Sequence, residues 1–296
     1  MSTPRFLDLP PGVAPQKIET PQGTFAALEA LPVSGVVERW PALLVPGLTG
    51  SKEDFIAVLM TLAQSGRRVV AVDLRGQYET PGPDDPAAYT CAALGADVDV
   101  LSQVIGGGDP VHLVGHSFGG LVAREAVIDG RTKFASFTLM SSGPAAIEGR
   151  RARNGRKILE EVPALGLEHM WQTRFEPEAL ANDVSDEIRE FLRRRLLNNS
   201  PTGLTSMAEQ VLTMRDRTDE LRQIELPTLV LFGEHDDGWP PEAQSEMAAR
   251  LGAESVVVPG AVHSPAVEAP ETTAAALVTF WNAAEKHYLD VRSSAM

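Results

Sequence analysis

The ten residues Val111-His112-Leu113-Val114-Gly115-His116-Ser117-Phe118-Gly119-Gly120 are the most informative stretch of this chain. The first four are mainly apolar, which is typical of a short buried strand. A Gly-His-Ser-Phe-Gly turn follows, and the apolar spacing of residues 120–128 predicts a helix. A serine on a sharp turn between a strand and a helix is strained, and its hydroxyl projects clear of the sheet. The stretch therefore predicts that Ser117 is a nucleophile.

The composition is that of an ordinary globular protein with a large core. The 296 residues are 43% hydrophobic and 22% charged, and this length allows two domains or one large domain with an insertion. The formal net charge of −14 argues against a nucleic-acid partner. A single cysteine, Cys91, excludes an internal disulfide framework and a cysteine-rich metal site. We expect Cys91 to be a small packing residue.

No feature of the sequence predicts secretion or membrane insertion. Residues 1–15 lack a basic start followed by an apolar run, so we expect no secretory signal. No run of about 18 apolar residues occurs, so we expect no membrane span and no membrane partner. The expected location is the cytoplasm.

Short apolar runs alternate with helical patterns over most of the chain. The Pro-rich start, through Pro15, is predicted to be an extended arm. The predicted strands are Thr24–Leu31, Ala42–Val45, Val69–Val72, Val111–Val114, Phe134–Met140, Thr228–Phe232 and Ser255–Val258, with Val33–Arg39 as a further candidate. Strands that alternate with helices imply a mainly parallel sheet with helices on both faces, which is the α/β class.

The pattern changes between residues 145 and 223, where no strand is predicted. Amphipathic helices are predicted instead, at Lys157–Val162, Leu167–Arg174, Asp186–Asn198 and Leu204–Ile224. Residues 144–224 hold 13 basic and 14 acidic side chains, whereas the rest of the chain is strongly acidic. We therefore predict a helical cap at residues 144–224, inserted between two parts of one core at residues 1–143 and 225–296.

A nucleophilic serine needs a base to take its proton and an acid to orient that base. The Gly-x-Ser-x-Gly pattern alone is weak evidence for a nucleophile, so the assignment also depends on finding a base and an acid in the sequence. His263, in the loop after the last predicted strand, is the best candidate base. Asp236, in a loop just past a strand end, is the first choice of acid; Asp237 is its rival, and Asp73 is a weaker candidate. The order Ser117, Asp236, His263 is one of the three known for serine hydrolases.

Acyl transfer also needs N–H donors for the oxyanion that develops in the transition state. The N–H of Phe118 follows the nucleophile at a helix N-terminus, which suits this role. The second donor should come from an early strand-end loop, and Pro46-Gly47-Leu48 fits that position. We choose the N–H of Leu48.

Five motifs in this order together resemble the α/β-hydrolase superfamily. They are Pro46-Gly47-Leu48, Asp73-Leu74-Arg75-Gly76, Gly115-His116-Ser117-Phe118-Gly119-Gly120, Gly233-Glu234-His235-Asp236 with Pro240, and Pro259-Gly260-Ala261-Val262-His263-Ser264. The closest resemblance is to the capped branch that contains esterases, C–C bond hydrolases and cofactor-free haloperoxidases. It implies a mainly parallel sheet of eight strands with an inserted helical cap, and a triad of Ser117, His263 and Asp236.

Two positions depart from the superfamily pattern. Pro46 stands where a histidine often precedes the oxyanion-loop glycine, and Gln77-Tyr78-Glu79-Thr80 follows Gly76 where a glycine and a serine are common. Arg75 is expected to form an anchoring ion pair rather than to bind substrate.

The substrate prediction follows from the apolar residues of the cap. Trp171 and Met207 in the cap, with Trp239 after the acid loop, are the candidate substrate-binding residues. They favour a carboxylesterase-like enzyme acting on a small or medium, mainly apolar ester, thioester or lactone. The run Arg150-Arg151-Arg153-Arg156 is interpreted as a solvated face. A C–C bond hydrolase and a slow-turnover, receptor-like binder are the alternatives.

No metal cluster or dinucleotide fingerprint occurs in the sequence, so we expect no metal and no cofactor. The expected partner is a small-molecule substrate, and the sequence also allows a homo-oligomer.

Overall fold

Short runs of buried aliphatic residues form the strands of a single sheet. The computed structural model describes residues 1–294 of the chain. Within them eight strands are hydrogen-bonded into one sheet. They are β1 (Val13–Thr20), β2 (Gly23–Ala30), β3 (Ala42–Val45), β4 (Val69–Val72), β5 (Val111–His116), β6 (Phe134–Met140), β7 (Thr228–Gly233) and β8 (Glu254–Val258).

The strand order is β1-β2-β4-β3-β5-β6-β7-β8. The β1–β2 and β2–β4 pairs are antiparallel, and every other neighbouring pair in this sheet is parallel. The predicted mainly parallel sheet is thus confirmed. Because parallel strands end at the same edge, the loops after β3, β5, β7 and β8 meet there.

The amino-terminal region differs from the prediction. Val13–Thr20 forms the edge strand β1, whereas Val33–Arg39 forms no strand. Most side chains of β1 are exposed, so it lacks the apolar alternation of a half-buried strand and even contains Pro15, which an edge strand tolerates. Val33 is 69% exposed, so its β-branched side chain contributes nothing to the core. Val13–Thr20 is a strand because its backbone pairs with β2, and a hydropathy pattern gives no information about that pairing.

Eleven α-helices lie within residues 1–294. They are α1 (Ile56–Ala63), α2 (Cys91–Gly106), α3 (Phe118–Asp129), α4 (Gly149–Met170), α5 (Glu176–Ala181), α6 (Asp186–Leu197), α7 (Pro201–Thr213), α8 (Thr218–Arg222), α9 (Pro241–Leu251), α10 (Pro265–Glu268) and α11 (Pro270–Ser294). Single turns of 3₁₀-helix occur at Lys52–Phe55 and Pro86–Tyr89, and Trp171–Phe175 is π-helical. None of these helices combines the length and the apolarity needed to cross a bilayer.

The sheet has a hydrophobic core on each face. Side chains of α2, α3 and α9 pack in one core, and side chains of α1, α10 and α11 pack in the other. Buried residues therefore cover both faces of the sheet, as the alternation of strands and helices predicts. Cys91 is buried in the first core with a free thiol, which agrees with a packing role.

Every element between β6 and β7 is a helix in the described chain. Ser185 and Ser200 cap the N-termini of α6 and α7 by accepting hydrogen bonds from Ile188 N and Gly203 N. A separate hydrophobic cluster is centred on these helices and includes Trp171. The cap boundaries at residues 144 and 224 stay a prediction.

A buried ammonium group fixes the loop that follows β3. Lys52 Nζ lies 2.8 Å from Asp73 Oδ2, 2.6 Å from Glu79 Oε2 and 3.0 Å from Glu53 Oε1. The Lys52 side chain is 2% exposed and the Asp73 side chain is fully buried. Burial opposes the charged form of Lys52, but the carboxylates of Asp73 and Glu53 outweigh it and raise the pKa of Lys52. The loop after β3 is thereby tied to the end of β4.

We predict that Lys52→Met destabilises the protein by about 3–5 kcal/mol, because it leaves the Asp73 carboxylate buried without a counter-ion. The measurement is the free energy of unfolding in urea. Arg131→Met is the matched control, since Arg131 pairs with Asp129 on the surface, where both side chains are at least half exposed. Equal effects of the two substitutions would contradict the prediction.

Candidate active site

Ser117 lies at the turn between β5 and α3 with φ 54° and ψ −120°. A non-glycine residue in this region is strained, and the surrounding structure must hold it there. Ser117 N donates to Met140 O at 2.9 Å, which ties the turn to the end of β6. A Cβ atom at Gly119 would collide with the carbonyl oxygens of Val45 and Pro46, so only glycine allows α3 to start so close to β3. The sequence thus builds the expected strand–turn–helix.

Three distant segments bring a hydroxyl, an imidazole and a carboxylate together. Ser117 Oγ lies 2.9 Å from His263 Nε2, and His263 Nδ1 lies 2.8 Å from Asp236 Oδ1. All three side chains are less than a tenth exposed. Asp236 also accepts hydrogen bonds from Gly238 N at 2.7 Å and from Gln244 Nε2 at 3.0 Å. The carboxylate is therefore fixed from three directions and can orient the ring of His263.

The rival acids lie in other ion pairs. Asp237 binds Arg150 and Arg151 of α4, with 2.6 Å between its Oδ1 and Arg151 Nε. Asp73 binds Lys52, as described above. Of the three carboxylates considered from the sequence, only Asp236 has a hydrogen bond to His263 within residues 1–294.

Arg75 forms the ion pair that was expected of it. Its Nε donates to Asp97 Oδ2 at 2.8 Å, and a second guanidinium nitrogen binds the other carboxylate oxygen. This bidentate pair links the loop after β4 to α2, and Arg75 does not line the cavity at Ser117.

Burial controls the protonation of the two histidines at the site. It lowers the pKa of His263, although the bond to Asp236 acts in the opposite direction. The pKa of the Asp236 carboxyl is lowered because hydrogen bonds from His263, Gly238 and Gln244 outweigh the effect of burial. Burial also lowers the pKa of His116 to about 4. His263 is therefore neutral at pH 7 and can accept a proton at Nε2.

His116 has a positioning contact that the sequence does not reveal. Its Nε2 donates to the backbone carbonyl of His263 at 2.7 Å. This contact joins the His263 loop to the turn at Ser117. The ring of Trp239 also stacks with that of His263, with 6.4 Å between the ring centroids.

The two predicted oxyanion donors lie in the same cavity wall as Ser117. Leu48 and Phe118 both line the cavity, on the loop after β3 and at the start of α3. Gln77 holds the loop from behind: its Nε2 donates to Gly47 O at 2.8 Å and to Leu48 O at 3.1 Å, and its Oε1 accepts from Leu74 N. Gln77 is fully buried, so no water replaces these bonds. Gln77, in the segment that departs from the superfamily pattern, thus supports the loop that carries Leu48.

The cavity above Ser117 has a volume of about 150 Å³. Its lower wall is the loop 47–50, the turn 116–118 and His263. Its upper wall is formed by the cap, and the amino-terminal residues Met1 and Ser2 close one side. The cap contributes apolar, neutral polar and charged side chains, namely Ile147, Arg150, Arg151, Asn154, Ile158, Arg174, Phe175, Glu178 and Val211.

The three predicted substrate-binding residues do not line this cavity, so the prediction is corrected. Trp171 is 1% exposed because it packs in the interior of the cap. Met207 is equally buried and packs in the core on one face of the sheet. Trp239 donates from Nε1 to Ala145 O at 3.0 Å and lies behind His263. The arginine run, interpreted as solvated, instead places Arg150 and Arg151 in the cavity wall.

One group of side chains has the spacing of metal ligands. Ligand atoms of Asp236, Asp237 and His263 lie within 4.8 Å of one another. The two carboxylates already bind five donors, and His263 bridges Asp236 to Ser117. Hydrogen bonds and ion pairs within the protein therefore account for the close spacing of these ligand atoms without a metal.

Comparison with known proteins gives a consistent result. The sequence profile described as the Alpha/beta hydrolase family matches residues 42–276. A proline iminopeptidase from Lactobacillus delbrueckii subsp. lactis is 25% identical over 259 residues, covering 80% of this chain and 88% of that protein. A non-heme haloperoxidase from Rhodococcus erythropolis is 27% identical over 276 residues, covering 81% and 91% respectively. The structure of a thermophilic esterase from Thermogutta terrifontis matches with a TM-score of 0.71 at 26% identity, covering 92% of this chain and 99% of that one.

We predict that Gln77→Leu slows the reaction of Ser117 with an alkyl fluorophosphonate by about tenfold or more. The carbonyls of Gly47 and Leu48 lose their buried donor, so the loop and its N–H group shift away from the phosphonyl oxygen. The second-order rate constant for labelling measures this effect. Gln103→Leu, at an exposed position on α2, serves as the control. An unchanged rate in a folded Gln77→Leu protein would remove this positioning role.

Proposed function

Because the chain belongs to the alpha/beta hydrolase family, we propose that it is a serine hydrolase that cleaves a small carboxylic ester, thioester or lactone through an acyl-enzyme. The observation that carries the proposal is the continuous hydrogen-bonded series from Ser117 through His263 to Asp236, which opens on a cavity. Hydrolase activity agrees with relatives that include an iminopeptidase and an esterase. The restriction from hydrolases in general to esters, thioesters and lactones is part of the proposal.

In the acylation step, Ser117 Oγ attacks the substrate carbonyl carbon while its proton passes to His263 Nε2. Asp236 keeps the Nδ1–H of the ring in place and stabilises the imidazolium that forms. The carbonyl oxygen becomes an oxyanion, and the N–H groups of Leu48 and Phe118 are our candidate donors to it. His263 then gives its proton to the leaving alcohol, thiol or ring oxygen, and the acyl group remains on Ser117.

In the deacylation step, His263 takes a proton from water, and the hydroxide attacks the acyl carbon. The tetrahedral intermediate collapses, the proton returns to Ser117 Oγ, and a carboxylic acid leaves. The reaction needs only groups of this chain and water. Small molecules are the proposed partners, and the cytoplasm is the proposed location.

The volume of the cavity favours a small substrate over a long-chain one. About 150 Å³ is enough for a molecule the size of benzene. We therefore narrow the substrate from the small or medium size expected from the sequence to a small one. A panel of short esters, thioesters, lactones and vinylogous diketones tests this class. Cleavage of the diketones alone would favour the C–C bond alternative, and tight binding without turnover would favour the receptor-like one.

We expect Ser117→Ala to abolish both ester turnover and labelling by a fluorophosphonate probe, because no other group replaces the attacking oxygen. Ester hydrolysis and labelling of the purified proteins, followed by mass spectrometry of the labelled peptide, measure the two effects. Ser245→Ala is the matched control, since Ser245 is exposed on α9 and outside the cavity. Wild-type turnover by Ser117→Ala would refute the mechanism.

The pH profile gives an independent prediction. His263 acts as a base only when neutral, and burial lowers its pKa below the ordinary value of about 6.5. The kcat/KM value for a neutral ester should therefore rise with pH through a midpoint below about 6.5 and be level at neutral pH. Initial rates from about pH 4 to about pH 9, with the uncatalysed rate subtracted, test this. A midpoint at or above the ordinary value would contradict the assignment.

A further inference from the structure

We propose that the substrate carries a carboxylate, and that Arg174 with Asn154 binds this group at the cap side of the cavity. The inference rests on the proposed function for the bond that is cleaved. The binding of an anion, however, can be measured without turnover. Arg174 would then be a specificity-determining residue that recognises the charge of the substrate.

Arg174 and Asn154 have polar groups without partners among the described residues. Both side chains line the same cavity as Ser117, and both are partly buried. Within residues 1–294, neither the guanidinium of Arg174 nor the amide of Asn154 has a hydrogen-bond or ion-pair partner. A guanidinium offers five N–H donors, and an amide offers two more. The cavity thus contains a set of donors that only a ligand or solvent can satisfy.

Arg174 differs from the other two arginines in the cavity wall. Arg150 and Arg151 both bind Asp237, so a carboxylate of the protein already occupies guanidinium donors of both arginines. Among the described residues, Arg174 has no ion-pair partner, and its Cζ lies over the ring of Phe175, 5.5 Å from the ring centroid. Arg174 is therefore the arginine of the cavity wall that has no carboxylate partner within residues 1–294.

The lining residues of the cavity include more basic than acidic side chains. Three arginines face the cavity, against Glu178 as the one acidic side chain among its described lining residues. Glu178 is exposed and forms no ion pair within the described chain. Burial lowers the pKa of Arg174 even though Glu178 and Glu161 act in the opposite direction. A carboxylate would restore the interactions that the guanidinium loses with water, through charge-assisted hydrogen bonds.

The backbone at Arg174 supports a binding role. Trp171–Phe175 is π-helical, and such turns are rare and frequently occur at functional sites. The turn buries Trp171 in the cap while Arg174 and Phe175 line the cavity. Ser117 and Arg174 line one cavity of about 150 Å³, which favours a substrate whose carboxylate and reacting carbonyl lie a few bonds apart. Half-esters of short dicarboxylic acids and acyl esters of short hydroxy acids have this form.

The kinetic test compares matched anionic and neutral esters of similar length. Ethyl hemiglutarate is paired with ethyl pentanoate, and 4-acetoxybutanoate with pentyl acetate, so that the charge lies on the acyl side or on the alcohol side. The wild-type kcat/KM should favour the anionic member of at least one pair. Arg174→Met should lower that anionic-to-neutral ratio by about tenfold or more, since charged hydrogen bonds are lost. Arg153→Met, an exposed arginine of α4 outside the cavity, should leave the ratio unchanged.

Glu178→Gln tests the electrostatic origin of the preference. It removes the negative charge that competes with a bound carboxylate, so the anionic-to-neutral ratio should rise by about two- to fivefold. A loss of shape or packing in the cap would not produce this opposite sign. A preference for the neutral ester in both pairs, or an equal ratio in Arg174→Met and the wild type, would overturn the inference.

A binding experiment separates this inference from the proposed function. Titration calorimetry of Ser117→Ala with ethyl hemiglutarate and with 4-acetoxybutanoate should show saturable binding of at least one anion, weakened about tenfold or more when Arg174→Met is added. Equal binding by the two proteins, or no saturable binding, would refute the anion site. Neutral esters hydrolysed through Ser117 without any effect of Arg174 would leave the proposed function intact and reject only the inference. Binding that depends on Arg174 in a protein without ester turnover would reject only the function.

Discussion

The backbone conformation of Ser117 is the constraint from which the site follows. A non-glycine residue with φ 54° is costly by about 1–3 kcal/mol, so it persists only where the surrounding fold determines it. The central parallel strands supply that determination: Ser117 N is bound to the end of β6, and Gly119 packs against the end of β3. The same strands carry the loops that hold Leu48 and, farther along the sheet, Asp236 and His263. The stability of the sheet thus supports a strained turn and positions its partners together.

The arrangement of the sheet explains why the candidate triad could be predicted from one sequence. Parallel strands end at one edge of the sheet. Because Ser117, Asp236 and His263 each lie just past the end of a strand, the sequence predicts that they are close together. Sequence position does not distinguish Asp236 from Asp237, because these adjacent residues follow the same predicted strand. In the structure the distinction follows from contacts that no pattern reports: Gly238 N and Gln244 bind Asp236, whereas α4 binds Asp237. The edge strand β1 was missed for a similar reason, since its pairing with β2 leaves most of its side chains in solvent.

The residues that line the cavity were predicted less well than the hydrogen-bonded series of Ser117, His263 and Asp236. An amphipathic helix shows which side chains are buried but not whether they face a cavity or another helix. Trp171 and Met207 are large and apolar, and they pack in hydrophobic clusters away from Ser117. Arg150 and Arg151 differ from the prediction in the opposite sense, because they were expected in solvent and line the cavity. A run of charge usually indicates a solvated face, and only the position of α4 above the site brings Arg150 and Arg151 into the wall.

The ion pairs of Asp237 connect the cap to the electrostatics of His263. Arg151 lowers the pKa of His263 by its positive charge, and Asp237 raises it. Since Asp237 also binds Arg151 directly, the carboxylate offsets part of the effect by which this cation of the cap disfavours a protonated His263. The same contact fastens α4 to the loop that holds Asp236. Asp237 therefore links the position of the cap to the electrostatics of His263, and Arg174 is the arginine of the wall without a carboxylate partner among the described residues.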